Sequence, residues 1–166
     1  MNIKIRPSEE GDIPSLRVWM REEGILRWFP MVREVEVMDA IRYWQSFIAT
    51  GSSLTAEVDG EPAGMANIYL QPFEKTKHQA LLVIVVGGKF RGCGVGTKLM
   101  KALMKLAKEK FQIKTLHLEV YQENPAIRLY ERLGFKVYGR HPKFLKEPDG
   151  SFRDKIMMEK ELEPDL

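Results

Sequence analysis

The segment that decides the fold is rich in glycine and reads Val85-Val86-Gly87-Gly88-Lys89-Phe90-Arg91-Gly92-Cys93-Gly94-Val95-Gly96-Thr97. It follows a nearly unbroken apolar run, Gln79–Val86, which is typical of a central strand covered on both faces. It precedes a stretch with apolar residues at helical spacing, Val95–Phe111. Glycines at such a junction let the backbone approach a ligand closely, and the unpaired amides at a helix start favour a phosphate. The sequence therefore predicts a phosphate-binding loop.

Two common phosphate loops do not fit this spacing. A P-loop requires Gly-Lys-[Ser/Thr], whereas Gly96 is followed by Thr97-Lys98, which is the reverse order. A Rossmann fingerprint requires glycine at the position of Thr97, counting from Gly92 and Gly94. A connecting turn without a ligand is the simpler alternative, because glycine-rich turns are common connectors.

The rest of the chain alternates between helical and strand periodicities. We expect helices over Asp12 to about Glu23, Met38–Ala49, Val95–Phe111 and Asn124 through Leu133. We expect strands over Asn2–Arg6, Ser53–Val58, Pro62–Leu70, Gln79–Val86, Thr115–Tyr121, Lys136–Arg140 and Lys155–Leu162. Asp59-Gly60 is a strong hairpin signal between two of these strands. The order predicts a mixed sheet with helices packed against it.

Composition limits the class of protein. The chain has 166 residues, which fits one domain, 1–166, and its net charge of +3 is too balanced to predict nucleic-acid binding. Cys93 is the only cysteine, so an internal disulfide is excluded and a reducing compartment is expected. The longest apolar run is too short to cross a bilayer, and the N-terminus lacks the apolar core of a secretion signal. We therefore expect a cytoplasmic protein without a membrane partner.

Two motifs resemble those of the GNAT acetyltransferases. The spacing Arg91-x-x-Gly94-x-Gly96 is similar to the pyrophosphate loop of that family. The stretch Asn124-Pro125-Ala126-Ile127-Arg128-Leu129-Tyr130-Glu131-Arg132-Leu133-Gly134-Phe135 resembles its second signature. The resemblance is most specific over these two regions, and it is closest to bacterial ribosomal-protein N-terminal and polyamine acetyltransferases.

The resemblance implies an α/β fold and a cosubstrate. The fold would be a mixed, mostly antiparallel central sheet of about six or seven strands flanked by about four helices. The cosubstrate would be acetyl-CoA, without a metal. The backbone of Ile84, Val85 and Val86 would pair with its pantetheine arm, as an added strand would. Arg91 and the amides of Gly92, Cys93, Gly94, Val95, Gly96 and Thr97 would hold its pyrophosphate.

Tyr130 is the implied general acid, and Asn124 is an implied cofactor contact. A phenol is a competent proton donor to a departing thiolate when the geometry is tight. Ordinary aromatic packing is the alternative for Tyr130. Asn124 lies one residue closer to Tyr130 than the family pattern expects, so Glu123 is an alternative occupant of the Asn position.

The general base is chosen from the strand Thr115–Tyr121. Alternation places His117, Glu119 and Tyr121 on one face of it. Leu118-Glu119-Val120 resembles a segment of ribosomal-protein N-acetyltransferases in which the Glu is the base. Glu119 is therefore the candidate base, with His117 or His78 in reserve. A simple ion pair with a nearby Lys or Arg is the alternative for Glu119.

The acceptor is left open among a protein N-terminus, a polyamine and another small primary amine. The resemblance places its site between the first two helices and the last strands, where Trp28 and Phe29 either line a pocket or plug the core. A homodimer is also left open, since dimers are common in the family. The competing function is a non-catalytic acyl-CoA-binding sensor or regulatory module.

Overall fold

The computed structural model describes residues 1–163, and it contains one mixed sheet with helices on both faces. The strands of this part of the chain are β1 Ile3–Pro7, β2 Ser53–Val58, β3 Glu61–Leu70, β4 Gln79–Val86, β5 Thr115–Tyr121, β6 Lys136–Lys146 and β7 Phe152–Glu161. The α-helices are α1 Ile13–Trp19, α2 Glu34–Ala49, α3 Val95–Phe111 and α4 Ala126–Arg132. Short 3-10 turns lie at Glu10–Asp12, Ile25–Trp28 and Gly88–Phe90.

The strand order confirms the predicted fold class. The order is β1-β2-β3-β4-β5-β7-β6, and every neighbouring pair is antiparallel except β4 and β5. A parallel pair needs a crossover connection, and α3 supplies it between β4 and β5. The hairpin predicted at Asp59-Gly60 joins β2 to β3, with both residues at positive φ.

The two parallel strands separate soon after they meet. They pair only where Gln79–Leu81 lies beside Thr115–His117. On its other side β4 stays paired with β3 as far as Val86. Within the described chain, the edge of β4 that faces β5 therefore has no strand partner from Leu82 to Val86. This gap opens at the end of β4 that leads into the glycine segment.

Two apolar clusters cover the two faces of the sheet. The larger cluster packs α3 against one face through Leu99, Met100 and Leu103. The smaller cluster packs α1 and α2 against the other face, where Met65 and Val85 belong to it. The gap between β4 and β5 is consequently approached by different helices from its two sides.

The first two helices differ from the sequence prediction. The helix expected over Asp12 to about Glu23 ends at Trp19, because the amides of Arg21 and Glu22 bond to carbonyls only three residues back. The helix expected from Met38 begins earlier, at Glu34. Its first turn alternates glutamates with valines, of which Val37 is buried on the same side as Ile41. The Glu36 carboxylate accepts hydrogen bonds from the main chain and side chain of Arg33 at the start of the helix.

The last hairpin is longer than predicted. The strands expected over Lys136–Arg140 and Lys155–Leu162 extend to Lys146 and back to Phe152, respectively. Most residues of β6 are exposed, so the sequence carries no regular alternation of buried and exposed positions there. None of the helices in residues 1–163 combines the length and the apolarity that a membrane crossing requires.

Candidate active site

A cavity of about 1060 Å³ occupies the gap between β4 and β5. Its lining includes the last residues of β4, the glycine segment, Leu118–Tyr121 of β5 and the start of α4. On the α1 and α2 side it continues between aromatic residues of the α1–α2 connection, α2 and β3. Ligand pockets are commonly 300–1,000 Å³, so this one has room for a cofactor arm and a second molecule.

The glycine segment has the backbone conformation that its sequence predicts. Gly92 and Gly94 have φ of +74° and +85°, a region that residues with a Cβ adopt at a cost. A Cβ built on either glycine would meet nothing within 4 Å. Gly96 differs, because a Cβ there would lie 3.3 Å from Leu129 of α4. The first two glycines thus keep open space beside the backbone, and the third allows α3 and α4 to pack closely.

The N-terminus of α3 presents amides without a protein cap. Gly94 is the N-cap residue, no side chain of the described chain bonds to the first turn, and that turn contains no acidic residue. The first amides of a helix have no intrahelical partner, and the helix dipole makes this end positive. Gly94, Gly96 and Thr97 line the cavity here. The arrangement fits a phosphate-bearing cofactor.

Cys93 and Val95 do not line the cavity with their side chains. Val95 is buried in the larger apolar cluster. The Cys93 thiol donates a weak hydrogen bond to the carbonyl of Arg91 at 3.6 Å. Any contact that these two residues make with a cofactor would therefore come from their backbone.

Arg91 is turned back onto the protein. Its Nε donates to the carbonyl of Val86 at 3.1 Å, and its Nη2 lies 3.6 Å from a carboxylate oxygen of Glu22. The same carboxylate accepts a hydrogen bond from the amide of Gly88 at 2.9 Å. Sequence reasoning missed Glu22, because the prediction placed it inside a longer first helix.

Gly87 is required by close packing, and Gly88 leaves room for the Glu22 side chain. A Cβ on Gly87 would lie 2.5 Å from the indole nitrogen of Trp19, and one on Gly88 would lie 2.7 Å from the Glu22 carboxylate. The absence of side chains at these two positions therefore lets the end of α1 and the residues after it pack against the segment that follows β4. Ile84, Val85 and Val86 all line the cavity beside the unpartnered edge of β4.

Tyr130 lies in α4 with its ring buried and facing the cavity. It is 7% exposed, and its ring contacts Phe135 edge-on with centroids 6.2 Å apart. Burial raises the pKa of Tyr130 to about 12. The hydroxyl consequently stays protonated throughout the neutral range, so it is available there as a proton or hydrogen-bond donor.

Asn124, rather than Glu123, faces the cavity. The Asn124 side chain lines it and accepts a hydrogen bond from the amide of Ala126 at 2.9 Å, which caps α4. Glu123 adopts positive φ and pairs with Arg27 at 3.0 Å, beside a separate cavity of about 490 Å³. The register of the second motif therefore brings the amide side chain to the site.

Glu119 lines the cavity and also has a cationic partner. Its Oε1 lies 3.3 Å from Nζ of Lys155, on the neighbouring strand β7. Its side chain is 42% exposed, so solvent reaches the carboxylate. Tyr121 lies two residues further along the same face and also lines the cavity, and burial together with the negative charge of Glu119 raises its pKa to about 12.

The two reserve bases do not line the cavity. His117 pairs with Leu81, in the short part of β5 that still contacts β4. Burial lowers the pKa of His117, although the charges of Glu119 and Glu159 oppose this effect, and its Nε2 has no hydrogen-bond partner among the described residues. His78 precedes β4, at the end away from the glycine segment. Of the three candidate bases, Glu119, His117 and His78, Glu119 is the one that lines the cavity.

Arg153, a residue that the sequence did not single out, lines the smaller cavity. Its guanidinium is buried, donates to the carbonyls of Arg27 and Gln122, and lies 5.0 Å from the centre of the Trp28 ring. It thereby ties β7 to the α1–α2 connection. Trp28 and Phe29 are half-buried and both line the cavity, so neither is simply a plug of the core.

Two buried polar atoms on the α1 and α2 side of the sheet lack partners within residues 1–163. They are Oδ1 of Asn67 in β3 and Nε1 of Trp44 in α2, and both residues line the cavity. Asn67 is only 2% exposed. Sequence reasoning missed both residues, although an Asn within the otherwise apolar run Ala63–Leu70 was an available signal.

Comparison with known proteins shows the family. Residues 18–135 match the sequence model of the Acetyltransferase (GNAT) family, and the chain belongs to that family. The predicted family is therefore confirmed.

Individual relatives agree with this assignment. An N-alpha-acetyltransferase of Sulfolobus acidocaldarius is 32% identical over 95% of this chain and 92% of its own length. An N-alpha-acetyltransferase of Sulfurisphaera tokodaii is 40% identical, but the match covers 49% of this chain and 54% of that protein. With L-amino acid N-acetyltransferase AaaT of Escherichia coli the identity is 28%, over 61% of this chain and 65% of the relative. This chain thus spans less than two thirds of the latter two relatives.

Solved structures share the fold over nearly the whole chain. A ribosomal-protein-alanine N-acetyltransferase from Brucella melitensis superposes with a TM-score of 0.81 and 26% identity, covering 96% of this chain and 99% of the other. The yncA structure from Salmonella typhimurium, with its cofactor acetyl-CoA, superposes with a TM-score of 0.84 and 21% identity, covering 100% and 97%. At the latter identity the likeness concerns the fold alone.

Proposed function

We propose that the protein is an N-acetyltransferase that moves the acetyl group of acetyl-CoA directly onto a primary amine. The observation that carries the proposal is the gap between β4 and β5. The edge of β4 without a strand partner is followed by the glycine segment and an uncapped helix N-terminus, with open space at Gly92 and Gly94. The yncA structure, which has the same fold, contains acetyl-CoA. We also propose that residues 1–166 act as a single cytoplasmic domain, with homodimer formation left to experiment.

The backbone of this chain would hold the cofactor at two places. The amides from Gly92 to Thr97 would bind the pyrophosphate, because they combine free N–H groups with the positive end of α3. The free edge of β4 would pair with the pantetheine arm as a strand would, through Ile84, Val85 and Val86. Arg91 supports this geometry by bridging Val86 and Glu22, and Asn124 supports it by holding the start of α4.

Tyr130 and Glu119 would handle protons on opposite sides of the reaction. Acetyl-CoA supplies an acetyl group that is activated as a thioester. Tyr130 would donate a hydrogen bond to the departing sulfur from the α4 side, where burial keeps its hydroxyl protonated. Glu119 would take the amine proton on the acceptor side, directly or through water, since its half-exposed carboxylate lies on the opposite face of β5 from the buried Leu118.

Replacement of Glu119 by Gln tests the base. A Gln keeps the shape of the side chain but cannot take up a proton, so we expect kcat to fall roughly 10²- to 10⁴-fold and the acid limb of the pH–rate profile to flatten. The measurement is the pH dependence of kcat/KM for the wild type and E119Q. Glu131→Gln is the matched control, because Glu131 is exposed on α4 and does not line the cavity. An unchanged profile in E119Q would leave Glu119 as a simple ion-pair partner of Lys155.

A non-catalytic acyl-CoA sensor is the alternative function, and the ion pair between Glu119 and Lys155 is the observation that favours it. The discriminating experiment measures acetyl-CoA binding by calorimetry and CoA release with a panel of small amines, polyamines and N-terminal peptides. We expect release that requires both acetyl-CoA and an amine. Tight binding of acetyl-CoA without turnover on any acceptor would support the sensor instead.

A further inference from the structure

We infer that the acceptor is a primary amine with an apolar body and, away from the amine, a hydroxyl or amide group that bonds to Asn67 and Trp44. The inference rests on the proposed function and narrows its substrate class. It begins from two orphaned polar atoms on residues that line the cavity, Oδ1 of Asn67 and Nε1 of Trp44. A buried polar atom without a partner is costly, so such atoms need a reason.

The orphaned atoms lie on the acceptor side of the sheet. Asn67 is directly opposite Val83 of β4, and its neighbour two residues back, Met65, belongs to the apolar cluster under α1 and α2. Trp44 belongs to the same cluster. Neighbouring strands are about 4.8 Å apart, so Asn67 lies one spacing from β4 and about two from an arm held on the far edge of β4. A group that reaches Asn67 is therefore distant from the reacting amine.

The chemistry of the two atoms selects the group. Oδ1 of Asn67 accepts a hydrogen bond, and the indole N–H of Trp44 donates one. A hydroxyl or an amide can both donate and accept, and it can therefore satisfy either atom or both. A further ammonium group, as in a polyamine, could donate to Oδ1 of Asn67 but could not accept from the indole N–H of Trp44, so it would satisfy one atom at most.

The walls around these atoms indicate an apolar body. Tyr43 and Phe47 of α2 and Tyr69 of β3 form a ring cluster with centroids 5.2 to 6.2 Å apart, and all three line the cavity. Trp28 and Phe29 line it as well. Glu119 is the only carboxylate among the described residues that line the cavity, and Lys155 already pairs with it. A polycation would find little charge to bind.

Matched acceptors test the inference. Tyramine and phenethylamine differ only in a terminal hydroxyl, and a tripeptide with an apolar first residue can be compared with its depsipeptide analogue, which lacks one amide N–H. We expect kcat/KM and the affinity measured by calorimetry with CoA present to favour the donor-bearing member of at least one pair by roughly 10- to 100-fold. The pair in which the enzyme discriminates shows whether the acceptor is a free amine or a peptide N-terminus.

Asn67→Leu tests whether the preference between the paired acceptors depends on the Asn67 side chain. The substitution removes the amide at similar volume, so we expect kcat/KM to fall more for the donor-bearing acceptor than for the donor-free acceptor, and the preference between them to collapse. Because an orphaned polar atom disappears, the melting temperature of the free enzyme should rise or stay the same. Trp44→Phe, which keeps a ring and removes the N–H, should weaken the same preference.

Several results would overturn the inference. The inference is wrong if the wild-type enzyme does not discriminate within either pair, or if the preference survives in N67L. It is also wrong if N67L has a lower melting temperature and loses the same factor in kcat/KM for all acceptors. Preferred turnover of polyamines would overturn it as well. These results differ from failure of the proposed function, which would show as bound acetyl-CoA with no transfer to any amine.

Discussion

Tyr130→Phe is expected to lower kcat roughly 10²- to 10⁴-fold while acetyl-CoA affinity changes little, because the substitution removes one proton donor and no packing surface. The ring of Tyr130 is buried against Phe135 and would stay there in the variant. Tyr130 lines the cavity that we assign to the thioester. Steady-state kinetics with saturating amine measures kcat, and calorimetry measures the affinity for acetyl-CoA.

The pH dependence adds a second expectation for the same residue. Since burial raises the pKa of Tyr130 to about 12, its hydroxyl is protonated at every pH at which the protein is ordinarily assayed. Any alkaline limb near neutral pH must therefore come from another group and should persist in Y130F. Tyr138→Phe is the matched control, because Tyr138 is exposed on β6 and does not line the cavity. Equal kcat in the wild type and Y130F would remove Tyr130 from the chemistry.

Gly94→Ala is expected to weaken acetyl-CoA binding by roughly 10- to 100-fold. This is the effect expected when one or more hydrogen bonds to a charged group are lost. The added methyl group would project into the open space beside the loop, where the pyrophosphate is proposed to lie. Calorimetric titration with acetyl-CoA measures the effect. The melting temperature of the free protein records the separate cost of positive φ, about 1–2 kcal/mol for a residue with a Cβ.

Gly60→Ala separates cofactor loss from backbone strain. Gly60 has the same φ of +85° and equally open surroundings, but it lies in the hairpin between β2 and β3, away from the cavity. Both variants should lose similar stability, and only G94A should lose affinity for acetyl-CoA. Equal affinity in G94A and the wild type would contradict the assignment of the loop.

Most of the sheet could be predicted because its signals are local. The apolar run Gln79–Val86, the Asp59-Gly60 turn and the helical spacing of Val95–Phe111 each identify an element without reference to the others. The extended β6–β7 hairpin could not be predicted to its full length, because its stability comes from pairing between strands whose residues are mostly exposed. The hydrogen bond from the Gly88 amide to Glu22, just after α1, could not be predicted either, because it joins residues 66 positions apart in the chain.

Some residues of the candidate site could be predicted from local motifs, and others could be found only from the fold. The glycine loop and Tyr130 belong to motifs with fixed spacing, so the sequence alone pointed to them. Asn67, Trp44 and Arg153 matter because of what the fold places beside them. The ion pair between Glu119 and Lys155 depends on the neighbouring positions of β5 and β7, which no local pattern gives.

A crystal structure of the protein with CoA would show where the cofactor binds. We expect the pyrophosphate on the amides of Gly92–Thr97 and the pantetheine arm hydrogen-bonded along the edge of β4 that lacks a strand partner, with the sulfur near the Tyr130 hydroxyl. CoA bound elsewhere, with the edge of β4 from Leu82 to Val86 left free, would contradict this expectation.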